Sequence, residues 1–169
     1  MSSAAEELHA PLVALLPRLR RFARALARNV HDADDLVQIA IERALARAGQ
    51  LRPGAPLAGW MFGIVRHAWV DELRARGRRA RLLALEEESA PAAASDPADA
   101  PVQALAVEDA LARLPEEQRA AVALVLIEGL SYKEAAHVME VPIGTLTSRL
   151  ARGREALQKL LGDPAGAQP

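Results

Sequence analysis

From Pro17 onward, Leu19, Phe22 and Leu26 recur at spacings of three and four, the period of one helix face. Arg18, Arg20, Arg21, Arg24 and Arg28 fall mostly elsewhere on that helix. Pro17 suits a first helical position, where its missing N–H leaves nothing unsatisfied, so a helix is predicted to open there. A second helix is expected from His31-Asp32-Ala33-Asp34-Asp35, whose carboxylates suit the positive end of a helix dipole. Leu36, Ala40, Ala44 and Ala48 give it a buried side, and Asp35, Gln38 and Glu42 an exposed polar face, before Gly49 ends it. A loop over residues 50–56 follows, with Arg52 beside two prolines and a glycine that hold an irregular path. A third helix from Leu57 is apolar through Val70 and then turns basic, with Arg74, Arg76, Arg78, Arg79 and Arg81 at its far end.

The second half carries clearer punctuation. Leu114-Pro115-Glu116-Glu117-Gln118 predicts a helix start, and Ala120 through Ile127 is apolar on all sides, as a central helix would be. Gly129 stops it. Ser131-Tyr132-Lys133-Glu134 then has the pattern of a capping box, in which the Ser131 hydroxyl and the Glu134 carboxylate satisfy each other's backbone donors. The short helix that follows holds Ala135, Ala136, Val138 and Met139, and Glu140-Val141-Pro142 makes a tight connection to a last helix. Ile143, Leu146, Leu150, Leu157 and Leu160, with Gly153 among them, form its apolar stripe. Thr145, Ser148, Arg149, Arg152 and Arg154 point largely away from it. The expected fold is all-α.

Composition agrees: alanine and leucine dominate, aromatics make up 3% of residues, and strand-favouring runs are absent. Charge changes the picture more. Residues 1–84 hold 14 arginines against eight acids, and residues 85–109 hold seven acids and no basic residue. Residues 110–169 balance at seven each. The net charge of −1 therefore hides a basic block, an acidic bridge and a basic terminal helix, which suggests two separate surfaces facing a polyanion. The bridge, with three prolines and small residues, cannot bury enough surface to offset the entropy of ordering. Two small helical domains, 1–84 and 103–162, are expected on either side of a flexible acidic linker over 85–102, with a disordered tail over 163–169.

A short capped helix, a sharp turn and a longer helix with a hydroxyl- and arginine-rich outer face is the pattern of a helix-turn-helix, whose second helix enters the major groove. Arg149 and Arg152 suit guanine edges, Thr145, Thr147 and Ser148 suit phosphates or bases, and Gly144 leaves backbone N–H groups open to a phosphate. In the first half, Trp60, Phe62, His67 and Trp69 lie upstream of the basic run on one helix. Rings beside cations suit unpaired bases, which stack while the cations hold phosphates; the plainer alternative is that both tryptophans are core. No cysteine exists for a disulfide or thiolate site. The four histidines lie in separate segments, His67 with Asp71 has the spacing of a surface pair, and no phosphate loop or nucleophile motif occurs, so neither an enzyme nor a cofactor or metal is expected. Acids near the start, where a secretory signal would be basic, and the lack of any stretch near ~20 apolar residues predict a cytoplasmic protein.

Three segments carry a family resemblance. The Asp34-Asp35-Leu36-Val37-Gln38 run resembles regions 2.1–2.2 of bacterial sigma factors, and residues 57–67 resemble regions 2.3–2.4 of the extracytoplasmic-function (ECF) type. Residues 114–157 resemble region 4 of the same proteins almost from end to end. The segment Leu15-Leu16-Pro17-Arg18-Leu19-Arg20-Arg21-Phe22-Ala23 also resembles the general stress-response branch. The resemblance implies an alternative sigma factor that binds core RNA polymerase and directs it to promoters. Asp34, Asp35, Gln38 and Glu42 would dock on the polymerase clamp helices. Arg52, Trp60, Arg66, His67, Trp69, Arg74 and Arg78 would recognise and open the −10 element. Gly144, Thr145, Thr147, Ser148, Arg149, Arg152 and Arg154 would read the −35 element. Thr147 stands where the family often has lysine, which puts one phosphate contact in doubt. Promoter DNA, core polymerase and an anti-sigma factor are the implied partners, with a monomer expected in their absence.

Two other functions fit parts of the chain. A stand-alone helix-turn-helix regulator accounts for the second half but leaves the basic, aromatic first half and the Asp35 face unexplained. A sigma mimic that titrates an anti-sigma factor would have little use for the arginines of the last helix.

Overall fold

The computed structural model describes residues 3–85 and 102–162, with side chains of the second stretch from residue 106. Those residues form seven α-helices and two short helical turns, with no strand among them. The proposed linker lies almost wholly, and the proposed tail wholly, outside the described residues.

The first helix, α1 (Ser3–Ala27), corrects the expected start at Pro17, since Pro11 and Pro17 both lie inside it. The reason is tertiary. Leu8 and Leu12 extend the stripe of Leu19, Phe22 and Leu26, and all five are buried. Burying each leucine contributes about 1.5–3 kcal/mol, of the same order as the roughly 3 kcal/mol that an internal proline costs. Arg28 ends α1 in the left-handed region, and Asn29, not the acids, caps α2 (Val30–Ala46) by accepting the Asp32 backbone N–H at 2.8 Å. Leu36, Ala40, Ala44 and Ala48 are buried as the spacing predicts, although α2 stops at Ala46 and Ala48–Gln50 is a single 3₁₀ turn. The long α3 (Leu57–Ala84) packs on α1 and α2. At the centre the Phe22 and Phe62 rings meet edge to face, 5.2 Å between centroids.

The second half begins with α4 (Val102–Ala112), which the pattern does not announce: VQALAVEDALA has neither a cap nor a clear apolar stripe. Next, α5 (Glu116–Val122) runs into a π-helical turn over Ala123–Ile127, in which the Glu128 N–H reaches back to the Ala123 carbonyl at 2.9 Å. That turn corrects the expectation of a helix apolar all round through Ile127. Ala120–Leu124 are buried, but Leu126 is 45% exposed and Glu128 is buried instead. Gly129, at φ +72°, ends the segment as expected.

Both bonds of the capping box that opens α6 (Tyr132–Met139) are present: Ser131 N–H to Glu134 Oε2 at 2.8 Å, and Glu134 N–H to Ser131 Oγ at 3.1 Å. The backbone N–H of Ser131 holds the Glu134 carboxyl below the usual carboxylate range. Glu140, left-handed at φ +54°, turns the chain into α7 (Ile143–Leu161). Leu146, Leu150 and Gly153 form the buried stripe of α7, while Ile143 and Leu160 lie at its exposed margins. α6 and α7 pack together, and α7 also crosses α5.

The two halves are not separate bodies. One cluster of buried side chains runs through both, with α1 against α4, α5 and the π turn, and α3 against α6. A Cβ at Gly153 would stand 2.7 Å from Val122 Cγ2 and 3.3 Å from the Gln118 carbonyl oxygen. Val122 is stiff and buried, so Gly153→Ala should destabilise by about 1–3 kcal/mol in urea unfolding. Gly144→Ala, where a Cβ meets nothing within 4 Å, should not destabilise.

Candidate nucleic-acid interface

α2 presents Asp34, Asp35, Gln38 and Glu42 to solvent, with Gln38 Nε2 donating to Glu42 Oε1 at 3.3 Å. Asp34, Gln38 and Glu42 border a shallow groove of about 400 Å³ between α1 and α2, completed by Leu16, Arg20, Val37 and Ile41. The sequence pattern missed this mixed lining. The pattern places Arg20 only off the apolar stripe of its helix, and pairing it with α2 requires the helix packing.

The first-half DNA candidates separate by environment. Arg52, His67, Arg74 and Arg78 are exposed, and Trp60 and Arg66 are half-buried. Trp69 is 4% exposed: it is a core residue here, and the plainer alternative wins for it. The guanidinium of Arg76 lies over its ring, 5.5 Å from the centroid. Arg74, Arg78 and Arg81 share one face of α3 around Leu73 and Gly77. Arg76 and Arg79 are engaged within the fold. Arg76 binds Glu72 at 2.9 Å and Asp32 at 2.7 Å, and Arg79 binds Glu72 at 3.0 Å. Hydrogen bonds from Arg76 hold both the Asp32 and Glu72 carboxyls below their usual range. His67 and Asp71 do not pair with each other: His67 Nε2 lies 3.2 Å from Glu140 Oε1, and Asp71 binds Arg43 at 2.9 Å.

On α7 the buried stripe fixes which residues share a face. At 100° per residue, Gly144, Thr145, Ser148, Arg149 and Arg152 fall within an arc of about 140° outside the stripe of Leu146, Leu150 and Gly153, with Arg149 at the edge nearest Gly153. Thr147 and Arg154 lie on a different flank, so the structure divides the seven expected residues into five and two. The Thr147 hydroxyl donates to the Ile143 carbonyl at 2.8 Å, which occupies its proton. Arg149 is half-buried and ion-paired with Glu117 of α5, while Arg152 is exposed. Glu117 was not foreseen as a neighbour of this surface. It sits in the first turn of α5, and only the crossing of α5 with α7 brings it there.

Residues 12–79 match the family model described as Sigma-70 region 2, and residues 104–157 match Sigma-70, region 4. The chain belongs to the ECF class of the sigma-70 family. It is 35% identical over 161 residues to the ECF RNA polymerase sigma factor EcfG of Rhodopseudomonas palustris, covering 92% of this chain and 86% of that one. It is 41% identical over 145 residues to ECF sigma factor SigM of Mycobacterium tuberculosis, covering 86% of this chain and 72% of that one. Among solved structures, the sigma factor RpoE of Bartonella quintana, in complex with the anti-sigma factor NepR, superposes with a TM-score of 0.79. The identity is 31%, with 92% of this chain and 97% of that one covered. A score that high over so much of the chain requires both halves to superpose together. CnrH, in complex with the cytosolic domain of CnrY, gives 0.69 at 27% identity over 94% and 92% of the two chains. The function is therefore that of a promoter-recognition sigma factor, and no helix among the described residues is long and apolar enough to cross a membrane.

In this sigma factor the Asp32–Arg76–Glu72 cluster should set an acid-sensitive part of stability. Both carboxyls are depressed in the folded state. Their contribution is thus present above the ordinary carboxylate range, near about 4, and is lost as pH falls through it. Both are partly exposed, so the effect should be no more than about 1 kcal/mol. The gap in urea stability between wild type and Arg76→Ala should be wider at neutral pH than near pH 3. A gap that does not change with pH would show that Arg76 acts through packing alone.

Proposed function

We propose that this sigma factor docks on core RNA polymerase through the α2 face of Asp34, Asp35, Gln38 and Glu42, with the adjoining α1 groove taking part. It opens the −10 element with Arg52, Trp60, Arg66, His67, Arg74 and Arg78, Trp69 supporting α3 from beneath. It reads the −35 element with α7, where Arg149 and Arg152 face base edges and Gly144, Thr145 and Ser148 lie along the backbone. Thr147 and Arg154 serve the flanking phosphates. Residues 1–84 and 103–162 are the two functional domains, and the acidic stretch between them joins their work on one promoter. The protein acts in the cytoplasm by binding and not by catalysis.

The observation that most supports this reading is the face of α7. A capped α6 and a left-handed turn at Glu140 precede a helix whose hydroxyls and arginines gather opposite its buried stripe. That is what a recognition helix needs. An anti-sigma factor is the further partner we propose. Two solved relatives of similar fold are complexes with, in one case, the anti-sigma factor NepR and, in the other, the cytosolic domain of CnrY.

Gel filtration with core polymerase tests the docking face: wild type should co-elute and Asp35→Ala/Gln38→Ala should not. A folded wild type that never co-elutes would favour a stand-alone helix-turn-helix regulator. For the −35 surface, Arg152→Ala should weaken binding of the matched promoter by roughly 1–3 kcal/mol and leave unrelated DNA little changed. Equal loss on every sequence would make Arg152 a phosphate contact.

A further inference from the structure

Glu116 and Glu117 open α5, where the positive end of the helix dipole suits a carboxylate. Nothing obliges Glu117 to find a cation there, because its side chain is 52% exposed and water can satisfy it. It is nevertheless paired with Arg149 of α7, whose side chain is only 28% exposed. The helix crossing enforces this meeting. A Cβ at Gly153 would stand 3.3 Å from the carbonyl oxygen of Gln118, the neighbour of Glu117, and Arg149 lies one turn before Gly153. Arg119 does not compete for the same acid. It is 2% exposed and turned inward, donating to the Ala112 and Leu114 carbonyls at 3.3 and 3.4 Å.

A pair this open to solvent contributes little to stability, so its consequence lies in what it does to Arg149. Glu117 Oε2 meets Nη1 of the guanidinium. That leaves the Nε–Nη2 edge, two parallel N–H donors, for the O6 and N7 acceptors of a guanine. Holding the long side chain in place also removes part of the ordering cost that a free arginine incurs on binding. The carboxylate acts on charge as well. An unpaired arginine is drawn to any phosphate whatever the sequence, and a neighbouring acid weakens that attraction.

We propose that Glu117 is a positioning residue that sets base specificity at one position of the −35 element through Arg149. It orients the guanidinium toward a base edge and withholds it from the backbone. Arg152, exposed one turn later, makes its contact without that restraint. This role rests on the reading of the −35 element by α7 proposed above.

The test uses holoenzyme assembled from the full chain and core polymerase, with a pool of duplexes randomised over the region upstream of the start site. Sequencing the bound fraction gives the base preference at every position. Arg149→Ala should abolish a guanine preference at one position, which defines the Arg149 site. Glu117→Gln should lower the preference at that site roughly two- to tenfold, leave the other positions unchanged and strengthen binding to unrelated members of the pool. Glu117→Asp should restore part of the preference, and Glu117→Gln should add nothing in the Arg149→Ala background. Glu155→Gln removes the same charge from an exposed pair with Lys159 and should leave the preference as in wild type. An unchanged preference in Glu117→Gln would overturn the proposal. So would an equal loss at all positions, or the same loss in Glu155→Gln. If Arg149→Ala alters no position, the proposal falls while Arg152→Ala still judges the reading by α7. A wild type with no base preference at all would refute that reading itself.

Discussion

A buried carboxylate with no cation would be driven back to water, and Glu128 is a wholly buried carboxylate. The rest of the arrangement follows from satisfying it. The π turn at Ala123–Ile127 ends with Glu128 buried and Leu126 exposed. α1 must lie across that helix end to bring Arg18 and Arg21 within reach. Arg18 in turn sits on Phe62, which packs against Phe22. One ion pair thus connects the end of α5 to the centre of region 2. Removing one partner of such a pair is far more disruptive than replacing the whole by apolar groups. Its role is better sought in fixing one arrangement of the halves than in raw stability.

Region 4 is organised around a different constraint, close approach of helices. Gly153 lets α7 cross Val122 without a side chain between them, and that crossing brings Glu117 to Arg149. The exposed face of α7 therefore depends on Gly153, a position buried against α5. The ion pair limits the rotamers of Arg149, while Arg152 one turn later is exposed. Two arginines on one face are accordingly unequal: one pre-oriented, the other free to search.

What the chain discloses in its pattern is mostly what is local. The capping box, the Gly129 stop and the buried face of α2 depend on residues within one or two turns of each other, and all appear as read. The same holds for the stripe of Leu146, Leu150 and Gly153. The start of α1 was misread because burial of Leu8 and Leu12 overrides the local preference of Pro17. α4 is not legible because its sequence has neither a cap nor an apolar stripe, and among its described side chains only Ala110 and Leu111 are buried. Glu128 looked like an ordinary acid at the end of an apolar run, and nothing within several residues reveals a partner more than a hundred positions away. Trp69 shows the limit for site residues: aromatic beside basic is the composition both of a base-stacking surface and of a core with a charged rim. Only burial separates them.

A protein that binds a polyanion with a net charge of −1 must keep its cations from neutralising themselves. Here they are divided. Arg76 and Arg79 are held by Asp32 and Glu72 within region 2, whereas Arg18 and Arg21 are held by Glu128 of region 4. Pairs of the first kind stay intact whatever the halves do. Pairs of the second kind exist only while the halves touch. Exposed pairs contribute little and are screened by salt. The buried Glu128 pair is screened much less. A buried pair of that kind fixes the relative placement of the two halves more firmly than any exposed pair can.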